Sequence, residues 1–518
     1  MADCNRNALG TCSDAGGYNT TASGVASHAE GSTTEAAGTA SHAEGYNSIA
    51  TGETSHAEGY ASIATGAASH VEGSSTNATE VAAHSEGFNT LASGQASHAE
   101  GFESLAIGGV SHAEGHGTEA SGYASHAEGI NTSAIGNEAH AEGTNTSAIG
   151  DNSHSEGYAT TASGETSHAE GSETNASGDV SHAEGSESTA SGGAAHAEGL
   201  GTTASGDASH AEGDGTLASG NAAHAEGLST TATATASHAE GGSTNATAYG
   251  AHAEGIQTTA SNSGAHAEGF LSVASNFGTH AEGYNTLAIG AYSHAEGGNT
   301  QAQGDYSHSE GYFTTASGGA AHAEGTSTIA SGTWSHAEGD GSEASGYNSH
   351  AEGNSTIASG TFAHAQGQST IAAGTASHAE GYLSSTAFDA PYAHAEGLGT
   401  TASGNASHAE GTENTASGFS AHAEGGSDGA NLPAPNTASG NSSHVEGFNN
   451  VASGLASHAE GTIRSLQVIT LMRRDLVQVQ MIKRARILWV DTVMLKNLTP
   501  GLLATVQLQI QEASVLNG

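Results

Sequence analysis

Ser27-His28-Ala29-Glu30-Gly31 returns as Ser41-His42-Ala43-Glu44-Gly45 and again as Ser55-His56-Ala57-Glu58-Gly59. The step is 14 residues each time, and histidines keep it from His28 through His378 without a slip. Five more follow at His394, His408, His422, His444 and His458, and only His116 falls outside the register. Between the His motifs lies a looser one, as in Thr20-Thr21-Ala22-Ser23-Gly24 and Thr286-Leu287-Ala288-Ile289-Gly290. Both obey one rule: Ser or Thr, any residue, Ala, any residue, Gly, then two free positions. Each 14-residue unit is thus two seven-residue halves. A period of two within each half reads as a short strand, with glycine permitting the turn that follows. No helical period is present before residue 462.

Short strands that turn at every glycine and repeat without drift stack into a solenoid. Ser/Thr and Ala then point into a narrow interior that admits only small groups, and the two intervening positions point outward. At a strand spacing of ~4.8 Å, about 32 coils make a rod of roughly 150 Å. The burial term is weak: an alanine methyl contributes ~0.8 kcal/mol, while ordering a residue costs about 1–2 kcal/mol. A lone roll of this kind is short of stabilisation, which predicts an oligomer.

Composition narrows the function. Of 518 residues 76 are glycine, only 5% are aromatic, and 54 acidic side chains face 8 basic ones for a net charge of −46. No Lys or Arg occurs between Arg6 and Arg464. Such a surface does not neutralise phosphates, which excludes nucleic acid and basic-patch adhesion to anionic lipid as partners. Cys4 and Cys12 either pair or stay free, and two cysteines fix no compartment. The N-terminus lacks an apolar core of signal-peptide type, and no run of 18 apolar residues exists, so neither a signal peptide nor membrane insertion is expected.

The [Ser/Thr]-x-Ala-x-Gly rule, notably Asn285-Thr286-Leu287-Ala288-Ile289-Gly290 and Asn145-Thr146-Ser147-Ala148-Ile149-Gly150, resembles the head repeat (Hep/Hag type) of YadA-like trimeric adhesins. The resemblance implies an all-β, left-handed parallel β-roll of 14-residue coils, assembled as a homotrimer. It further implies a non-enzymatic fibre, extracellular, on a cell surface or a virion, without cofactors. The receptor would be a host cell-surface or matrix molecule. Similar Ser-His-Ala-Glu-Gly arrays are expected in phage tail and neck fibres and in bacterial surface proteins.

The expected domains are residues 1–17 as an N-terminal cap with a degenerate first coil, 18–462 as the roll, and 463–518 as an atypical tail. Two insertions break the roll, near 385–391 and 426–436; the second, with Pro433-Ala434-Pro435, is a candidate contact loop. After Thr462 the composition flips to basic and apolar. Back-translating Leu466 to Asp475 and shifting one base yields Ser-Gly-Asn-Tyr-Ser-His-Ala-Glu-Gly, with its His 14 residues after His458. The same shift over Leu488 to Lys496 permits a stretch resembling the start of the autoproteolytic chaperone domain (Peptidase G2 type) of phage neck appendages. The tail reads either as a docking segment or as a frameshift product that lost this domain.

Stacking places the outward His and Glu of every unit in parallel columns. Their partner positions in the other half vary freely (Thr21, Glu35, Ile49, Asn77, Leu91), so the His/Glu face is the one expected to meet neighbouring subunits. His98, Glu100, His126, Glu128, His210, Glu212, His294 and Glu296 are the trimer-contact candidates. The opposite face, with Leu287 and Ile289, stays open as the inner one by the resemblance. The carboxylates are expected to hydrogen-bond the imidazoles and hold their pKa up. The rival reading is a metal-binding surface protein, with His28, Glu30, His42, Glu44, His56 and Glu58 as candidate Zn²⁺ or Ni²⁺ ligands. Catalysis is disfavoured, because Ser27 and His28 are strand neighbours facing opposite ways and cannot form a nucleophile–base pair.

Overall fold

The structure, a computed structural model, describes residues 6–426 and 434–461. The tail and most of the 426–436 insertion, including Ser427, Asp428 and Pro433, lie outside the described residues, as does Cys4. The chain divides into a unit ending at Gly399 and a second beginning at Thr400. Each is a parallel β-solenoid of 14-residue coils, and every described element is a strand.

In the first unit each coil contributes one five-residue strand from the His motif, such as His28–Ser32, and one shorter strand from the Ala motif, such as Ile49–Ala50. The register is in step throughout: His28 pairs with His42 and Glu30 with Glu44, while Ile49 pairs with Ile63. Each sheet therefore stacks like on like, the condition for columns of identical side chains. The interior is a ladder of alanines at zero exposure, from Ala22 and Ala29 onward, with Val71 the largest apolar group inside it. Ser27 and Thr20 are buried beside them.

Backbone pairing continues around the corners. Ala26 N donates to Thr11 O at 2.8 Å and Ala40 N to Val25 O at 2.8 Å, so the main chain stays satisfied where the strands end. The buried serine of the His motif closes one corner, Ser27 Oγ donating to Gly24 O at 2.8 Å and Ser41 Oγ to Gly38 O at 2.7 Å.

The glycines work differently from the expectation that they simply permit the next turn. Gly31 has φ +115°, and a Cβ there would sit 2.0 Å from Gly45 O. Gly24 has an ordinary φ and is needed for close approach alone, its Cβ lying 1.9 Å from Gly38 O. The left-handed corner residue is the second one after the glycine and is usually not glycine: Ala26 (φ 57°), Asn47 (φ 58°), Ala208 (φ 52°). It is held there by its amide bond to the coil before.

The two-residue insertion before His394 leaves the ladder intact. Ser385 pairs with Ile371 and Thr386 with Ala372, so Thr386 occupies the alanine column and bonds Ser377 Oγ at 2.8 Å. The extra residues loop out at the corner, where Phe388 is exposed and Ala390 is buried.

The second unit keeps the pattern across its own insertion, since His422 pairs with His444 and Thr415 with Thr437. Its inner Ser/Thr position is asparagine in three coils: Asn414, Asn436 and Asn450, all buried. They form a ladder. Asn436 N donates to Asn414 Oδ1 at 2.7 Å, and Asn450 N to Asn436 Oδ1 at 2.8 Å. Asn436 Nδ2 also donates to Glu424 O at 2.7 Å and Gly447 O at 2.8 Å.

Candidate functional site: the histidine–glutamate columns

Alternation along the His strand buries Ala29 and turns His28 and Glu30 outward to the same side; Ser27 points in and His28 out, as expected. With every coil in register, the imidazoles stack. Ring centroids of His42 and His56 are 4.7 Å apart at 7°, those of His140 and His154 4.8 Å apart at 0°, and those of His238 and His252 4.6 Å apart at 3°. Edge-on pairs stand at the two ends of the described column, His28 against His42 at 81° and His444 against His458 at 72°. The rings are about one-third exposed, and most Nε2 atoms are shielded by the neighbouring rungs.

Over most coils of the first unit the glutamate leans toward its own histidine. Nε2 to Oε2 distances are 3.5 Å for His28–Glu30, 3.7 Å for His42–Glu44 and 3.9 Å for His56–Glu58. They are 3.6 Å for His98–Glu100, 3.7 Å for His126–Glu128, 3.5 Å for His210–Glu212 and 3.6 Å for His294–Glu296. Farther along, the carboxylate bridges rungs: Glu310 Oε1 lies 3.4 Å from His322 Nε2, and Glu338 Oε1 lies 3.5 Å from His350 Nε2. From Glu296 to Gly367 the Glu and Gly columns line an open groove of about 840 Å³.

These contacts are mostly too long for good hydrogen bonds, and that reverses the expected effect on the imidazoles. His98, His126, His210 and His294 all have their pKa lowered, first by burial and then by repulsion from the histidines stacked next to them. The glutamates push upward but do not win. The same order of causes holds at His56. Glu100 is displaced the other way, upward, by burial and by Glu86 and Glu114 beside it. A column of like groups at rung spacing thus disfavours charge in both members.

Neutral imidazoles beside carboxylates are metal-ligating chemistry, and His98, Glu100 and His112 bring one ligand atom each within 4.8 Å of one another, as do His112, Glu114 and His126. An ion bound at about 2.0–2.1 Å needs its two nitrogens within ~4.2 Å, so stacked rings must tilt toward each other to hold one. The serine and histidine of one motif do not form a nucleophile–base pair, because the hydroxyl is inside the wall and the imidazole outside it.

Two features escaped the sequence reading. The asparagine ladder was written as Asn at a Ser/Thr position. His116, outside the His register, continues a separate exposed column, stacking on Phe102 at 4.9 Å. Cys12 is a free, exposed thiol, one of the two states the sequence left open.

A parallel solenoid carrying a stacked His/Glu stripe along its coils defines a structural repeat protein. The chain carries YadA head domain repeats, matched over residues 43–69, 113–139, 127–153, 281–307, 323–342 and 337–363. The matched stretches fall on coils of the solenoid, and the architecture agrees with a structural repeat. No curated protein matches the chain. No helix among the described residues is long and apolar enough to cross a membrane.

Proposed function

We propose that the protein is a non-enzymatic fibre that assembles as a homotrimer and presents its surface for adhesion or host recognition, as an adhesin head or as a phage or prophage tail or neck appendage. The observation that carries this reading is the YadA head repeat on a coil whose interior holds little beyond Ala, Ser and Thr. Such an interior gains little from burial, and covering one outer face with a second and third copy supplies what is missing. The His/Glu face is the one assigned to that contact, through His98, Glu100, His126, Glu128, His210, Glu212, His294 and Glu296. Stacked, partly dehydrated imidazoles with unpartnered Nε2 atoms suit a face that is covered rather than bathed in water. Light scattering on the purified chain tests the assembly. A mass three times 50.6 kDa is expected, and a single-chain mass at micromolar concentration contradicts it.

A second reading, metal capture by the His/Glu columns, is favoured by the repeated His–Glu–His groupings. Calorimetry with Zn²⁺ or Ni²⁺ separates the two. Saturable binding with one ion for about every two coils supports capture, since each ion uses two histidines; weak, non-saturating uptake leaves the columns structural.

A further inference from the structure

One corner of the first unit carries a long run of exposed aromatic side chains. Over residues 277 to 362 its two free positions carry Phe277, Tyr292, Tyr306, Trp334, Tyr347 and Phe362 on successive coils, interrupted once by Gly319-Ala320. All six side chains are exposed, Tyr306 by 66% and Trp334 by 54%. They form a continuous aromatic edge on each side of the interruption. Phe277 and Tyr292 meet edge to face at 5.3 Å, and Tyr292 stacks on Tyr306 at 5.2 Å. Trp334 meets Tyr347 at 5.3 Å, and Tyr347 meets Phe362 at 5.7 Å.

Folding does not require these rings. Tyr292, Tyr306, Trp334 and Phe362 occupy the left-handed corner position with φ of 57–58°, a conformation bulky side chains adopt only at a cost. Elsewhere the same position is held by Ala26, Ala40, Ala208 and Ala222. Strain accepted without burial points to a surface kept for a ligand.

We infer that this corner is a binding platform for a neutral polysaccharide, lying along the coil axis with its sugars packed against the aromatic edge. The rings supply rigid, flat, amphipathic area at low entropy cost. Exposed polar groups interleave with them: Asp305, held by the Ala291 amide at 2.9 Å, with Thr333 and Asn348. Sugar hydroxyls can bond these groups, whereas an apolar protein partner would have to dehydrate them. The gap at Gly319-Ala320, two rungs wide between Tyr306 and Trp334, is roughly 9.5 Å at strand spacing, room for one sugar ring to sit between aromatic faces. Charge sets the class: with no Lys or Arg from residue 7 to 462, the surface repels sulfated, phosphorylated or sialylated chains.

This deepens the adhesive reading and rests on it for its biological sense; the trimer mass is measured separately, so failure of one does not imply failure of the other. The test titrates full-length protein carrying Trp489→Phe, which leaves Trp334 as the sole tryptophan, with malto-, cello-, manno- and chito-oligosaccharides of four to eight units. Sulfated and sialylated glycans serve as comparison. At least one neutral series is expected to shift Trp334 fluorescence saturably, and the anionic glycans are not. The triple variant Tyr292→Ala/Tyr306→Ala/Phe362→Ala, using the residue other coils already place there, should weaken that binding at least tenfold with an unchanged β spectrum. Tyr46→Ala/Tyr60→Ala, on the other corner, should leave it unaltered. Absence of binding by every neutral series, preference for an anionic glycan, or undiminished binding by the triple variant overturns the inference. A change of oligomeric mass in that variant also overturns it, since the corner would then be a contact between copies.

Discussion

The same inner position is solved in two ways along this chain. In the first unit, consecutive coils bury Thr202, Thr216 and Thr230 with no hydrogen-bond partner for Oγ1. In the second unit Asn414, Asn436 and Asn450 take that place and bond the coil ahead, the coil behind and the carbonyls at the strand ends. A hydroxyl spans one rung only where it meets a serine, as Thr76 Oγ1 does with Ser62 Oγ at 3.0 Å; the longer amide reaches the next coil and the strand-end carbonyls together. Each threonine therefore carries a dehydration cost that its methyl offsets, whereas each asparagine recovers the cost through directed bonds. The first unit has uniformity and small volume as its source of order, and the second has explicit coil-to-coil bonding where an insertion interrupts the count.

Acid should separate the two most. Lowered imidazole pKa values run along the first unit, with burial as the leading cause, and His422 shares the direction in the second. A folded-state pKa below the unfolded value of about 6.5 means stability is complete above that pH. It is lost as pH falls below 6.5 and through the depressed values, because the unfolded chain takes up protons first. Thermal melts from pH 8 to 5 should show a progressive fall in Tm, and hydrogen exchange should show the first unit losing protection before the second. A Tm that rises on acidification would mean that the carboxylates dominate after all.

Next in size is removal of the ladder's centre. Asn436→Ala strips the three hydrogen bonds of that side chain and should cost about 3 kcal/mol, read as lost exchange protection across residues 434–461 with the first unit unchanged. Transplanting the ladder is the converse experiment. Thr202→Asn/Thr216→Asn/Thr230→Asn should stabilise the first unit by about 2 kcal/mol in denaturant melts, some of the new bonding being offset by fit. Equal or lower stability would show that the threonine methyls matter more than the missing bonds. The smallest effect is Thr216→Val, which deletes an unpartnered hydroxyl at constant shape and should gain up to ~1 kcal/mol. A loss of that size would reveal a hidden partner for the oxygen.

The sequence made the architecture readable because the repeat is strict. A 14-residue period with Ala every seventh residue leaves one way to bury small groups and one way to align His28, His42 and His56. Corner detail was not readable: that Ala26 rather than Gly24 takes the left-handed φ depends on the amide of Ala26 reaching Thr11 O, a bond between coils that no local rule contains. The pKa direction failed for a related reason. Pairing His98 with Glu100 considered one rung, while the deciding terms, burial and the charges of His84 and His112, come from the rungs on either side. Asn436 was visible as a residue but not as a ladder, because its partners sit 22 and 14 positions away.

Stacking of residue i beneath residue i+14 underlies all of this, and spin-label distances measure it directly. Exposed Glu103, Glu173 and Ser243 share one corner column at intervals of five coils. With Cys4 and Cys12 changed to Ser and labelled chains diluted in unlabelled ones, the pair 103/173 should give a narrow distribution near ~24 Å and 103/243 one near ~48 Å. Distances that are broad, or that fail to double from the first pair to the second, would contradict the stacked-coil account.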